Sequence, residues 1–327
     1  MLSTRFTTLV GCTVPIQQAG MGGVAGPRLA GAVAAAGALG MVGSARIPAP
    51  ALTRMLDQLR QNAAGPVGVN VLIPFLDLAC VEVAASRVRV VEFFYASPDP
   101  ALIRTVHAGG ALACWQIGSE EEARAAADAG ADLIVAQGME AGGHVRGTIG
   151  LLPLLDRVLG AVSVPVIAAG GIATARGMAA ALAAGADAVR VGTRFVVAEE
   201  SDAHPQYQDA LIQAGAGDTV LTEAFSVMWP HAPHRVLRSA VEAAQAHPSD
   251  QVGEMVLGGE RLPLPRFAVP TPTRQTTGAI GAMALYAGQS VGAVQARQPA
   301  AEIIRELADG AARLLARWSH APAGARV

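Results

Sequence analysis

The chain contains no lysine: all 24 of its basic residues are arginine. A carbonyl substrate therefore cannot be held as a Schiff base, which needs a lysine amine. Cysteine is scarce too. Cys12, Cys80 and Cys114 are odd in number, far apart and without metal-ligand spacing, so they read as reduced thiols of a cytosolic protein. Aromatic residues make up 4% of a chain that is 52% hydrophobic, so the core must be built mainly from Ala, Val and Leu. A formal net charge of -2 supplies no reason to expect nucleic acid or an anionic membrane as partner. No apolar run reaches bilayer length, since the uncharged stretch Leu29 to Ala45 is broken by four glycines. Met1 to Val10 lacks the apolar core of a signal peptide. These absences lead to the expectation of a soluble, cytoplasmic protein, and 327 residues suffice for one large domain or one with a smaller appendage.

What is present is a rhythm. Arg28 to Ala36, Pro100 to Ala108, Glu120 to Ala129 and Ala175 to Ala184 each read as an Ala-rich helix. Each runs through a turn (Gly37-Ala38, Gly109-Gly110, Gly130-Ala131, Gly185-Ala186) into a short apolar strand. Glycine there supplies a left-handed C-cap. Further strands fit at Pro15 to Gln18, Val67 to Ile73, Val90 to Tyr95 and Pro165 to Ala169, giving eight strand–helix units within about 200 residues. Continuous apolar strands alternating with helices predict a parallel sheet covered on both faces. Eight units predict a closed (β/α)8 TIM barrel of class α/β over residues 1–199, with an open doubly wound sheet as the rival. Beyond Glu199 the rhythm stops. Residues 200–275 read as a smaller, inserted helical domain capping the substrate site, with the four prolines of Pro263 to Pro272 as an extended connector. Residues 276–327 read as a segment returning to the barrel and ending in an amphipathic helix over Ala300 to Trp318.

The stretch Ala136 to Gly147 joins a strand to a helix through Gly142-Gly143-His144. Two residues without Cβ let the backbone lie against a flat ligand, and the histidine beside them can exchange a proton near neutral pH. A turn whose histidine merely caps the next helix is the plainer reading. Gly170-Gly171 and Gly192-Thr193 end the seventh and eighth strand candidates, where barrels build phosphate sites from backbone N–H groups. The Gly20 to Gly26 loop has the spacing Gly-x-Gly-x-x-x-Gly, which does not match the dinucleotide fingerprint. Asn70 and Gln116 are polar residues on apolar strands, and their amides can bond a heteroaromatic ring edge. Together these features fit a flavin mononucleotide across the barrel mouth. His231 and His234, three apart between prolines, could overhang it or hold a metal, though a nearby carboxylate ligand is lacking. Glu140 is available to orient His144 or Arg146.

With these motifs quoted, the chain resembles the nitronate monooxygenases, formerly called 2-nitropropane dioxygenases. Gln137 to His144, Gly20 to Gly26, Gly68-Val69-Asn70, Gly170-Gly171-Ile172 and Tyr286 to Ser290 carry the resemblance across nearly the whole chain. It implies an FMN-bearing barrel with His144 as the active-site base. By match, FMN would contact Met21, Gly22, Gly23, Asn70, Gln116, Ala141, Gly142, Gly143, Gly170, Gly171, Gly192, Thr193, Gln289 and Ser290. Many members carry a lysine where this chain has Gln116, which offers a dipole in place of a cation. The implied reaction is oxidation of alkyl nitronates or nitroalkanes with O2 to a carbonyl compound and nitrite. The same resemblance extends to flavin-dependent enoyl-acyl-carrier-protein and quinone reductases, in which NAD(P)H would be the reductant. A flavin-free barrel for a small phosphorylated ligand, and a non-enzymatic scaffold, are the remaining alternatives. An oligomer is compatible with the sequence.

Overall fold

The computed structural model describes residues 2–257 and 260–319. Its chain builds strands β1 (Ile16–Gln18), β2 (Gly40–Gly43), β3 (Val67–Leu72), β4 (Val90–Phe94), β5 (Leu112–Ile117), β6 (Leu133–Gln137), the two-residue β7 (Gly143–His144), β8 (Val166–Ala169) and β9 (Ala188–Val191). All but β7 pair in parallel into an eight-stranded sheet in the order β1-β9-β8-β6-β5-β4-β3-β2. A parallel bridge between Gln17 and Leu39 joins its two ends. Gln18 N–H donates to Leu39 O at 3.0 Å and Leu39 N–H to Ile16 O at 2.9 Å. The sheet thereby closes into the expected TIM barrel, and the open-sheet rival is set aside.

The helices alternate with the strands as the Ala-rich segments foretold. α1 (Arg5–Val10) precedes β1, and α2 (Pro27–Ala35), α3 (Ala49–Asn62), α4 (Leu78–Ala85), α5 (Pro100–Ala108), α6 (Glu120–Asp128), α7 (Leu151–Ala161) and α8 (Ala175–Ala183) follow. Local chemistry fixes their starts. Asp77 accepts from Ala79 N–H, Asp99 from Ala101 N–H, Ser119 from Glu122 N–H and Thr174 from Gly177 N–H. Leu29, Val33, Leu56, Val81, Ile103, Leu154 and Met178 turn inward to a shared layer against the outer faces of the strands. Inside the barrel a second, smaller layer holds Met41, Val90, Cys114, Val135 and Ile167, and Phe6 and Val10 of α1 pack against it. The upper inward positions are polar: Gln17, Asn70, Glu92, Gln116 and Arg190 are all buried.

Residues 200–275 hold helices α10 (Pro205–Gln213) and α11 (Arg238–Ala246), as expected, but also strands β10 (Thr219–Thr222), β11 (His234–Leu237), β12 (Gln251–Leu257) and β13 (Glu260–Pro265). The stretch read as a proline connector thus begins with a strand. β13 lies at the edge of a three-stranded sheet ordered β13-β12-β14, with β14 at Thr277–Gly278. Edge strands tolerate proline because one row of N–H groups needs no partner, so Pro263 and Pro265 fit there opposite Glu254 and Gln251. A separate core of Tyr207, Leu211, Phe225, Val236 and Leu285 supports this region. The one-turn α9 (Thr193–Val196) leads out of β9, and α12 (Ala300–Ser319) closes the chain against α8 and α2. Residues 320–327 of the C-terminal segment lie outside the described residues.

Candidate functional site

At the C-terminal ends of the strands lies a cavity of about 370 Å3, within the size range of small-molecule and cofactor sites. Met21, Gly22 and Gly23 enter it from the loop after β1, Asn70 from β3 and Gln116 from β5. Ala141, Gly142, Gly143 and His144 line it from the loop after β6 and from β7. Gly170 and Gly171 come from the loop after β8, Gly192 and Thr193 from the loop after β9, and Ser290 from the returning segment. Gln289 departs from expectation. Its side chain is exposed and outside the cavity, and its N–H is bonded to Glu140 O at 3.0 Å. Gln289 and Ser290 open a short 3-10 helix (Gln289–Ala293), whose successive side chains point about 120° apart, so of the two only Ser290 faces the cavity.

The glycine loop is built for close approach. A Cβ on Gly142 would sit 2.5 Å from Gly288 N, so the two loops touch backbone to backbone. Gly143 has φ +77°, a left-handed conformation that side chains disfavour, and a Cβ there would project into open space. That open cradle fits a flat ligand resting on peptide edges.

His144 is set by strand pairing rather than by loop geometry alone. β7 pairs antiparallel with β11, which brings His234 opposite His144 and Arg235 opposite Gly143. Gln137 Nε2–H donates to His144 O at 3.0 Å, and Arg235 anchors the preceding loop through Nη2–H to Met139 O at 2.8 Å. Glu140 does not orient His144 or Arg146. Its carboxylate accepts from Leu151 N–H at 2.9 Å and 3.0 Å at the start of α7, while Arg146 pairs with Glu122. A carboxylate at the positive end of a helix is well placed for capping, and that position claims Glu140.

The imidazole of His144 stacks on Trp229 at 3.9 Å and 21° and meets the edge of Tyr95 at 5.9 Å. Trp229, Ala232 and Val269 form an apolar wall with Leu72, Phe75 and Tyr95. Tyr95 adopts φ +75°, so its backbone is held in an unusual conformation just where its ring reaches the site. His144 Nε2 is buried with no hydrogen-bond partner, as is the cavity-lining Gln137 Oε1. Burial, with a smaller contribution from His234, pushes the His144 pKa down to about 3. The resting group is therefore neutral imidazole with an unoccupied polar atom. His234 differs: Nδ1 lies 2.8 Å from Ala232 O and Nε2 accepts from Phe225 N–H at 3.2 Å, which leaves neither nitrogen for a metal. Among the described residues no group of three or more His, Cys, Asp or Glu side chains is arranged to hold a metal ion.

Two consequences are measurable. The unfolded chain binds a proton on His144 below about pH 6.5 that the native state refuses until about pH 3. Native stability should therefore fall as pH falls through that window, by up to about 1.4 kcal/mol per unit for this group. His144→Gln should flatten the slope in urea-denaturation series. An unchanged slope would show that the imidazole is not held neutral. In Trp229→Ala, water should reach the ring and raise the His144 pKa by roughly one unit or more toward the ordinary value, read by NMR titration. A pKa still near 3 would assign the desolvation to other walls.

The floor of the cavity holds groups that motif reading did not single out. Arg190 pairs with Glu92, and its Nη1–H also donates to Gln116 Oε1 at 2.8 Å. Gln116 thus lines the cavity while already committed to Arg190. The signal was visible: a charge inside each of the apolar runs Val90 to Phe94 and Ala188 to Val191.

Similarity to known proteins places this architecture among the flavin-dependent oxidoreductases. The sequence model of the nitronate monooxygenase family matches residues 3–81 and 79–310. The chain belongs to that family. It is 37% identical over 258 residues, 77% of this chain and 70% of the relative, to the (3aS,4S,5R,7aS)-5-hydroxy-7a-methyl-1-oxo-octahydro-1H-indene-4-carboxyl-CoA dehydrogenase of Rhodococcus jostii. FabK from Thermotoga maritima has a similar structure, with a TM-score of 0.80 at 32% identity over 98% of this chain and 99% of that one. Nitroalkane oxidase from Streptomyces ansochromogenes gives 0.78 at 32% identity over 97% and 99%.

Proposed function

We propose that the protein is an FMN-dependent nitronate monooxygenase that oxidises alkyl nitronates and nitroalkanes with O2 to a carbonyl compound and nitrite. The observation that carries this reading is the buried, neutral, unpartnered Nε2 of His144 beside the open Gly142-Gly143 cradle. FMN would rest on the loops bearing Met21 to Gly23 and Ala141 to Gly143. Its phosphate would meet Gly170, Gly171, Gly192 and Thr193, consistent with the usual phosphate position of barrels. Bound FMN supplies the electron acceptor for the substrate and the electron donor for O2.

The protein side of the chemistry follows from the site. His144 Nε2 accepts the α-proton of a neutral nitroalkane, which gives the nitronate. The nitronate's charge then stabilises the imidazolium, so basicity that burial suppresses returns when it is needed. Trp229, Tyr95 and Phe75 exclude water from the reacting carbon. Met255 and Val256 of β12 line the cavity, which supports the reading of residues 200–275 as a substrate cap.

A second reading, NAD(P)H-dependent reduction or acyl-thioester dehydrogenation, is favoured by Arg46. Its guanidinium lies 4.6 Å from the Phe75 ring centroid at the cavity wall, where it could meet a phosphate. Anaerobic mixing separates the two. Purified protein should be yellow, release FMN on denaturation and be bleached by a nitronate, with nitrite formed once O2 is admitted. Bleaching by NADPH or an acyl-CoA but not by nitronate would transfer the assignment to the second reading.

A further inference from the structure

Beneath the cavity lies an ion pair that proton transfer at His144 does not use. Arg190 on β9 has 8% of its side chain exposed and Glu92 on β4 none. Among the described residues, every side-chain partner of Glu92 is a donor from the barrel interior. Arg190 Nη1 and Asn70 Nδ2, the latter at 2.7 Å, donate to Oε1, and Gln17 Nε2 donates to Oε2 at 2.8 Å. Arg190 Nη1 is further bound to Gln116 Oε1 at 2.8 Å. Its Nε and Nη2 groups have no partner among the described residues. Arg190 lines the cavity, whereas Glu92 does not. The pair is neutral in sum but polarised, with its positive end toward the ligand. Guanidinium N–H groups left open at the foot of a desolvated cavity are strong donors to whatever acceptor arrives.

We propose that Arg190 is the cation that stabilises the negative charge a bound flavin gains on reduction, and that Glu92 and Gln116 are its positioning residues. The inference rests on the FMN reading above. A flavin that gains two electrons and takes up one proton from solvent carries one negative charge. A fixed cation in a water-poor site lowers the energy of that state without reorganisation. No lysine is available for the task anywhere in the chain.

The test uses the full chain loaded with FMN, with bound flavin quantified by absorbance before each measurement. Reduction potentials are read against a reference dye, and sulfite is titrated because its flavin adduct is also anionic. Arg190→Gln should disfavour reduction about tenfold, equivalent to about 30 mV for a two-electron couple, and weaken sulfite binding in parallel. Arg190→Lys should retain most of the wild-type behaviour. Glu92→Gln removes the counter-charge while the Gln116 bond remains, so it should shift both readouts the opposite way. Opposite shifts from the two ends of one pair mark an electrostatic role, because structural damage would move both alike. Where a single variant does not fold, the double variant Arg190→Gln with Glu92→Gln is neutral and should bind sulfite more weakly than wild type. An unchanged potential and sulfite affinity in flavin-loaded Arg190→Gln, or shifts of one sign in both single variants, would overturn the proposal. A wild-type chain that takes up no FMN would instead refute the flavin reading itself.

Discussion

Replacing His144 by alanine is expected to lower kcat/KM for a neutral nitroalkane by about 10²- to 10⁴-fold, the usual contribution of a positioned general base. At 1.36 kcal/mol per decade this corresponds to about 3–5 kcal/mol of transition-state stabilisation. A preformed nitronate has already lost its α-proton, so its oxidation should suffer far less. The comparison of the two substrates is what identifies the role. Equal losses with both would mean that His144 only shapes the cavity. Because the imidazole stacks on Trp229 at 3.9 Å, alanine also leaves a gap, so His144→Gln is the companion variant and rates are normalised to bound flavin. If either variant kept full turnover of the nitroalkane, the base would have to be sought elsewhere.

The largest expected effect on stability is at Glu92. Substitution by leucine strands the Arg190 guanidinium in the barrel and deprives Asn70 Nδ2 and Gln17 Nε2 of their acceptor. Breaking a buried pair from one side typically costs about 3–5 kcal/mol. Replacing both Glu92 and Arg190 by leucine should recover the part due to the stranded guanidinium but not the rest, since Asn70 Nδ2, Gln17 Nε2 and Gln116 Oε1 remain without their partners. Urea denaturation of the two single variants and the double variant completes the cycle. A loss below about 1 kcal/mol in Glu92→Leu would show that water reaches the pair.

The barrel was legible because its signal repeats. Each Ala-rich helix ends at a glycine that the structure holds at positive φ, among them Gly37 at +88° and Gly185 at +108°, and a short apolar strand follows. Residues 200–275 were read less fully because strand and turn signals there contradict one another. β12 contains Gly253 and Glu254, β13 contains two prolines, and only pairing within a small three-stranded sheet makes either a strand. At the site, residues within contiguous motifs were found. Trp229 and Tyr95 were missed because they come together from distant points without a local pattern, whereas Glu92 and Arg190 each stood as a charge inside an apolar run and Tyr286 lay inside a quoted motif. Gln137 sat inside the quoted motif, yet its bond to the His144 carbonyl depends on how β6 and β7 meet.

The barrel is not equally fastened all the way round. Where β3 and β4 run side by side for five paired residues, β1 and β2 meet at a single bridge, reinforced by Gln18 Oε1, which accepts from Met41 N–H at 2.9 Å. This seam is the thinnest closure of the cylinder, and hydrogen exchange should find the amides of Gln18 and Leu39 less protected than those paired between β3 and β4.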